Sequence, residues 1–172
     1  MKNLHQLLLL CFVSALILSL SSCGSDDDEP SAGYDFIDQN LQGTIDGLPF
    51  VFGEGTFEAS FFTEGDISLD FHHADEQFDD VCGFIGFGDQ LKVFFEITNE
   101  VGLYELFINL NTFEGQTVTL YNPEGQVHNI ATFGAVEILT ITDTQLTGRM
   151  DARMDAENSV NGNFTLVFCP EN

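Results

Sequence analysis

Tryptophan is absent from the 172 residues, and Lys and Arg together number only 4 against 28 Asp and Glu, a formal charge of −24 with histidine neutral. Phosphate backbones and anionic lipid surfaces are held by clustered Lys and Arg, so nucleic acid is excluded as a partner. Only 4 Pro and 4 Cys occur. Catalytic signatures are missing as well: there is no Gly-x-Ser-x-Gly, no His-Glu-x-x-His and no phosphate loop. The chain is therefore read as non-enzymatic. A hydrolase working through two carboxylates ranks behind the binding readings, because so many acids form accidental pairs. After the first 22 residues no apolar run reaches spanning length.

What is present begins at the N-terminus. Lys2 leads into the apolar run Leu7 to Leu20, which stops at Ser21-Ser22-Cys23. A charged start, an apolar segment too short for a bilayer and small residues before a cysteine make an export signal, expected over residues 1–22. Leu20-Ser21-Ser22-Cys23 resembles the lipobox of bacterial lipoproteins, and the resemblance implies that Cys23 carries the lipid as the first residue of the mature protein. Several acyl chains on one cysteine anchor a protein stably without a transmembrane helix. The next residues, Gly24-Ser25-Asp26-Asp27-Asp28-Glu29, resemble the acidic export tag of Bacteroidota surface lipoproteins. That implies a place on the outer membrane, facing the medium. Consecutive carboxylates also suit a plain solvated tether, since they repel one another and bury nothing.

Residues 23–40 are thus expected to form the lipidated cysteine and an acidic flexible tether, whose coil spans on the order of 20 to 25 Å. Residues 41–172 are expected to form a single β domain. Without the signal, the 28 acids face only Lys92, Arg149 and Arg153, a formal charge of −25. Charge spread so evenly reads first as solubility and self-repulsion. A chain of this length buries roughly 70% of the surface it exposes when unfolded, and 18 Phe supply an aromatic core without indole.

From Leu41 onward the apolar period is two. Ile67, Leu69 and Phe71 alternate with Ser68, Asp70 and His72. Leu91, Val93, Phe95 and Ile97 alternate with Lys92, Phe94 and Glu96, and Tyr104, Leu106, Ile108 and Leu110 continue the pattern. Leu146, Gly148, Met150, Ala152 and Met154 alternate with Thr147, Arg149, Asp151, Arg153 and Asp155. Asp46-Gly47 is placed for a type I′ hairpin turn. Asn122-Pro123-Glu124-Gly125 and Asn161-Gly162 are further turn or bulge signals. The pattern predicts an all-β fold of about nine or ten strands, either an antiparallel β-sandwich or a closed, lipocalin-like barrel.

With Cys11 discarded and Cys23 lipidated, Cys82 and Cys169 remain for a disulfide in an oxidising compartment. The alternative is two free buried thiols. Asp70, His72, His73, Asp75, Glu76, Asp79 and Asp80 crowd two imidazoles and five carboxylates into one strand end and its loop. Such residue types suit calcium or zinc. Their spacing matches no coordination motif, and adjacent strand residues such as His72 and His73 point to opposite faces. No cofactor is expected, and weak calcium association is the most the acidic loop should show.

Thr44-Ile45-Asp46-Gly47-Leu48-Pro49-Phe50, Gly102-Leu103-Tyr104-Glu105-Leu106, Ile141 to Arg149 and Val160-Asn161-Gly162-Asn163-Phe164 are similar to segments of small all-β surface lipoprotein domains of Bacteroidota. That domain family is of unknown function, so the resemblance implies architecture and brings no catalytic residue. The functional expectation is a lipid-anchored outer-surface protein with a binding or structural role. Its partner there is a glycan or a protein, and the named alternative is a glycan-binding accessory lipoprotein of a polysaccharide-uptake system. Only Tyr34, Tyr104 and Tyr121 stand beside the phenylalanines as sugar platforms. An exposed aromatic cluster on one sheet face would favour the glycan reading.

Overall fold

The computed structural model describes residues 33–76, 78–83, 89–112 and 114–170. The described residues all fall within one compact unit. The signal segment, Cys23 and the acidic run from Gly24 to Glu29 lie outside the described residues.

Strand-forming alternation organises the described chain throughout. The elements are β1 (Gln42–Ile45), β2 (Leu48–Ala59), β3 (Asp66–His73), β4 (Lys92–Thr98), β5 (Gly102–Glu105), β6 (Phe107–Ile108), β7 (Gly115–Gln116), β8 (Val118–Asn122), β9 (Val127–Ala131), β10 (Phe133–Ile141), β11 (Gln145–Arg153) and β12 (Ser159–Phe168). Ten of them form one sheet in the order β5-β10-β11-β12-β1-β2-β3-β4-β8-β9, and β6 and β7 make a separate small ribbon. The two-residue strands account for the surplus over the expected nine or ten. Among the described residues the strand pairings are antiparallel except β12 with β2, where Val167 faces Thr56 and Phe168 faces Phe57. Short β1 runs antiparallel to both β2 and β12, so where β1 is absent the two long strands meet directly and must be parallel.

The large sheet is not closed into a barrel: β5 and β9 each pair on one side only. It folds over instead, in the manner of a sandwich. Phe71 of β3 stacks on Phe95 of β4 at 5.6 Å and meets Phe164 of β12 edge-on at 4.9 Å, although β3 and β12 are not neighbours in the sheet. Leu69, Val93, Leu120, Leu146, Met150 and Leu166 fill the space around these rings with no exposure. Deleting one such ring costs about 3–5 kcal/mol in comparable cores.

Local chemistry explains the hairpins. Asp46 (φ 55°) and Gly47 (φ 72°) adopt the two positive angles that a type I′ turn requires. Gly125 and Gln126 do the same work in the turn after Pro123. Asn161-Gly162 marks no turn: it lies inside β12, and Gly162 takes φ 141° because another segment crosses over it. A Cβ on Gly162 would sit 2.7 Å from backbone atoms of Gln39 and Asn40.

That crossing segment departs from the expected tether. Residues 33–40 lie on β11 and β12: Asp35 N donates to Asp151 Oδ2 at 2.8 Å, Asn161 Nδ2 donates to Asp35 O at 2.7 Å, and Phe36 lies under the Arg149 guanidinium at 4.5 Å. Folding therefore takes in Gly33 onward rather than starting near Leu41. It also buries Asp151, which the alternation placed outward. The pattern beyond Tyr104 differs too: Leu106 is buried, while Ile108 and Leu110 are exposed, because β5 ends and the separate β6–β7 ribbon begins.

The Cys82–Cys169 disulfide is present, with Cα atoms 5.3 Å apart. It ties the loop after β3 to the residue following β12, whose own N–H donates to Phe57 O at 2.9 Å.

Candidate functional site

The outward residues of β3, β4 and β8 form the floor of a groove of about 710 Å³, within the range of small-ligand sites. Register places the residues in rows: Asp70 lies opposite Phe94, Phe94 opposite Thr119, and Ser68 opposite Glu96. On a pleated sheet these positions share one face, because successive side chains alternate. Phe94, half-buried, meets His128 of β9 edge-on at 6.1 Å.

The turn between β2 and β3 supplies one wall. Phe61 and Phe62 are 91% and 84% exposed and meet edge-on at 5.6 Å. Ser60 sets this turn. Its hydroxyl oxygen accepts from the N–H groups of Phe62 and Thr63, both at 3.0 Å, and the same hydroxyl donates to Glu96 Oε1 at 2.9 Å. Ser68 Oγ donates to that oxygen too, at 3.0 Å. The paired phenylalanines are thereby fastened to a carboxylate of the groove.

Lys92 Nζ lies 2.7 Å from Asp70 Oδ1, with the lysine 7% exposed. Gln116 of β7 donates from Nε2 to Glu96 O at 2.9 Å and joins the ribbon to the groove's rim. The floor thus offers carboxylate, amide and hydroxyl groups under exposed aromatic rings. This arrangement suits recognition: apolar faces for stacking, and polar groups fixed by their own hydrogen bonds for orientation.

Behind the Asp70–Lys92 pair lies His72, 1% exposed, capped by the Phe78 ring at 4.7 Å. Its Nδ1 is 3.3 Å from Glu76 Oε2 without the alignment of a hydrogen bond. The His72 pKa is lowered to about 4, by burial first and by the Lys92 ammonium second, with Asp70 opposing them. Burial also raises the Glu76 carboxyl above its ordinary value, with Lys92 opposing. Both groups are thus driven toward their uncharged forms.

The acidic cluster does not converge. His73 points to the opposite face from His72 and meets Phe50 at 5.9 Å; its Nδ1 lies 3.7 Å from exposed Asp75. Asp70 is taken by Lys92. Asp80 Oδ1 accepts from Cys82 N at 3.0 Å, and Asp79 is exposed. Among the described residues no three His, Cys, Asp or Glu side chains gather as metal ligands. Asp70 alone of that cluster lines the groove.

Sequence reasoning missed the groove, though two signals pointed there. Phe94 occupies an outward position in a strictly alternating strand, and Phe61-Phe62 stand in a polar turn where no core can use them. Comparisons of the chain with protein-family models, with curated proteins and with solved structures find no match.

Proposed function

We propose that this protein is a non-catalytic binding domain, held on the outer face of the outer membrane by lipid on Cys23, with the groove over β3, β4 and β8 as its ligand site. The observation that carries the reading is the Phe61–Phe62 pair, almost wholly exposed above a hydrogen-bonded polar floor. Exposing two such rings is costly in water, and their covering by a ligand returns that area at roughly 25 cal/mol per Å². The anchoring half of the proposal rests on Leu20-Ser21-Ser22-Cys23 and the acidic run after it.

A glycan is the ligand class favoured second, on a specific ground: aromatic rings beside fixed carboxylates and amides match the alternating apolar and hydroxylated faces of a sugar ring. An accessory role in polysaccharide uptake follows from that reading.

Two experiments test the two halves. Cys23→Ala should move the protein from the membrane fraction to the soluble fraction and remove the lipid mass; retention in the outer membrane with the mass unchanged contradicts anchoring. For the groove, the mature protein screened against soluble oligosaccharides should bind at least one, and Phe61→Ala/Phe62→Ala should abolish that binding without lowering the melting temperature. Binding that survives the double substitution contradicts the assignment.

A further inference from the structure

The groove is selective by charge as well as by shape. Three carboxylates, Glu58, Asp70 and Glu96, line it, and the one cation among its lining residues is Lys92. That cation is committed: its ammonium lies 2.7 Å from Asp70 Oδ1 and is almost fully buried. An anionic ligand would have to displace Asp70 to use it, in a protein whose mature charge of −25 already repels anions.

Glu96 presents the opposite opportunity. Ser60 and Ser68 both donate to Oε1, and no partner of Oε2 occurs among the described residues. The two serines fix the carboxylate in place while leaving an acceptor oxygen unused. The exposed rings of Phe61 and Phe62 add negative quadrupole potential at their faces, which attracts ammonium groups as well as stacking apolar surfaces.

Resting on the groove as the ligand site, we infer that its ligand carries a protonated amine beside an apolar face, with the amine directed to Glu96 and the apolar face to Phe61 and Phe62. An amino-sugar unit and an arylalkylamine both have this chemistry.

Calorimetry on the mature protein in detergent, at 0.15 M salt, distinguishes the sources and tests the inference. The probes are a glucosamine trimer, its fully N-acetylated counterpart, phenethylamine and a galacturonate trimer. At least tenfold tighter binding of the glucosamine trimer over its acetylated form assigns an amino sugar; tight binding of phenethylamine alone assigns the arylalkylamine. The galacturonate trimer should not bind. Glu96→Gln should reduce the preference for amine to less than threefold, whereas Glu157→Gln, the same charge change at an exposed site on the turn before β12, should leave it intact.

Phe61→Ala/Phe62→Ala, which leaves the net charge unchanged, should weaken amine binding at least tenfold. Amine binding that survives it, or that falls equally with Glu157→Gln, is nonspecific attraction to an acidic surface and overturns the inference. Equal or tighter binding of the acetylated trimer, still sensitive to Phe61→Ala/Phe62→Ala, overturns the amine inference while leaving the groove as the ligand site. Failure of all four probes overturns the amine inference as well.

Discussion

Lys92 and His72 lie directly opposite one another on β4 and β3, and the ammonium that holds Asp70 also lowers the pKa of the imidazole beside it. One buried cation thus serves the groove floor and adds to the burial that keeps its neighbour neutral.

An acid response follows, with its sign fixed by the direction of the shift. His72 has a folded pKa of about 4, below its ordinary 6.5, so the folded state favours the neutral ring. The associated stability is fully present above pH 6.5 and is lost as the pH falls toward 4, a change of about 3 kcal/mol. Glu76, shifted upward, works the other way and offsets part of the loss. Urea denaturation at pH 7, 5.5 and 4 should show falling stability, flattened by His72→Phe and steepened by Glu76→Gln. Lys92→Met should raise the His72 titration midpoint measured by NMR. It should also cost about 1–3 kcal/mol by leaving Asp70 without its partner.

Ser60→Ala removes the hydroxyl that joins the Phe61-Phe62 turn to Glu96. The bonds are only partly buried, so global stability should fall by less than about 1 kcal/mol. Hydrogen exchange at Phe62 and Thr63 should accelerate at least tenfold, and groove binding should weaken with it. Unchanged exchange would mean that the turn is held by something other than Ser60.

Gly162→Val places a Cβ against the backbone of Gln39 and Asn40 at an angle that side chains rarely adopt. Residues 33–40 should detach from β11 and β12 at a cost of about 1–3 kcal/mol. Limited proteolysis should then cut near Tyr34 to Ile37 at a rate well above that of the wild type, while the core stays intact.

Those same residues illustrate what was legible in the sequence. Alternation located β3, β4 and β11 within a residue or two, since each buries one face and a pleat has period two. Asp46-Gly47 announced its hairpin because few dipeptides accept two positive φ angles. The docking of residues 33–40 was hidden: its hydrogen bonds reach Asp151, Asn161 and Asn163, more than 110 positions away. Composition near Pro30, Ser31 and Gly33 reports local polarity alone. The groove was hidden for a related reason. Asp70, Phe94 and Thr119 become neighbours only through strand register, and the rings of Phe61 and Phe62 gain meaning only when the turn is seen to be fastened over that row. The crowd from His72 to Asp80 adjoins in sequence without a coordination spacing, and the period of two already sends His72 and His73 to opposite faces.

Reduction of the Cys82–Cys169 bridge, or Cys82→Ser/Cys169→Ser, releases a link across 87 residues. Chain entropy gives an upper value of about 4 to 5 kcal/mol for its contribution. Thermal denaturation with and without reductant should show a clear fall in Tm, and non-reducing alkylation of the folded protein should modify neither cysteine.

The groove over β3, β4 and β8 is proposed as the place where this protein meets its ligand. NMR titration of the labelled mature protein with soluble neutral, amino and acidic oligosaccharides and with phenethylamine tests it most directly. At least one probe should shift the signals of Phe61, Phe62, Asp70, Phe94, Glu96 and Thr119 together, and Phe61→Ala/Phe62→Ala should remove the response. Shifts gathered on another face of the domain, or no shift at the groove with any probe, would contradict it.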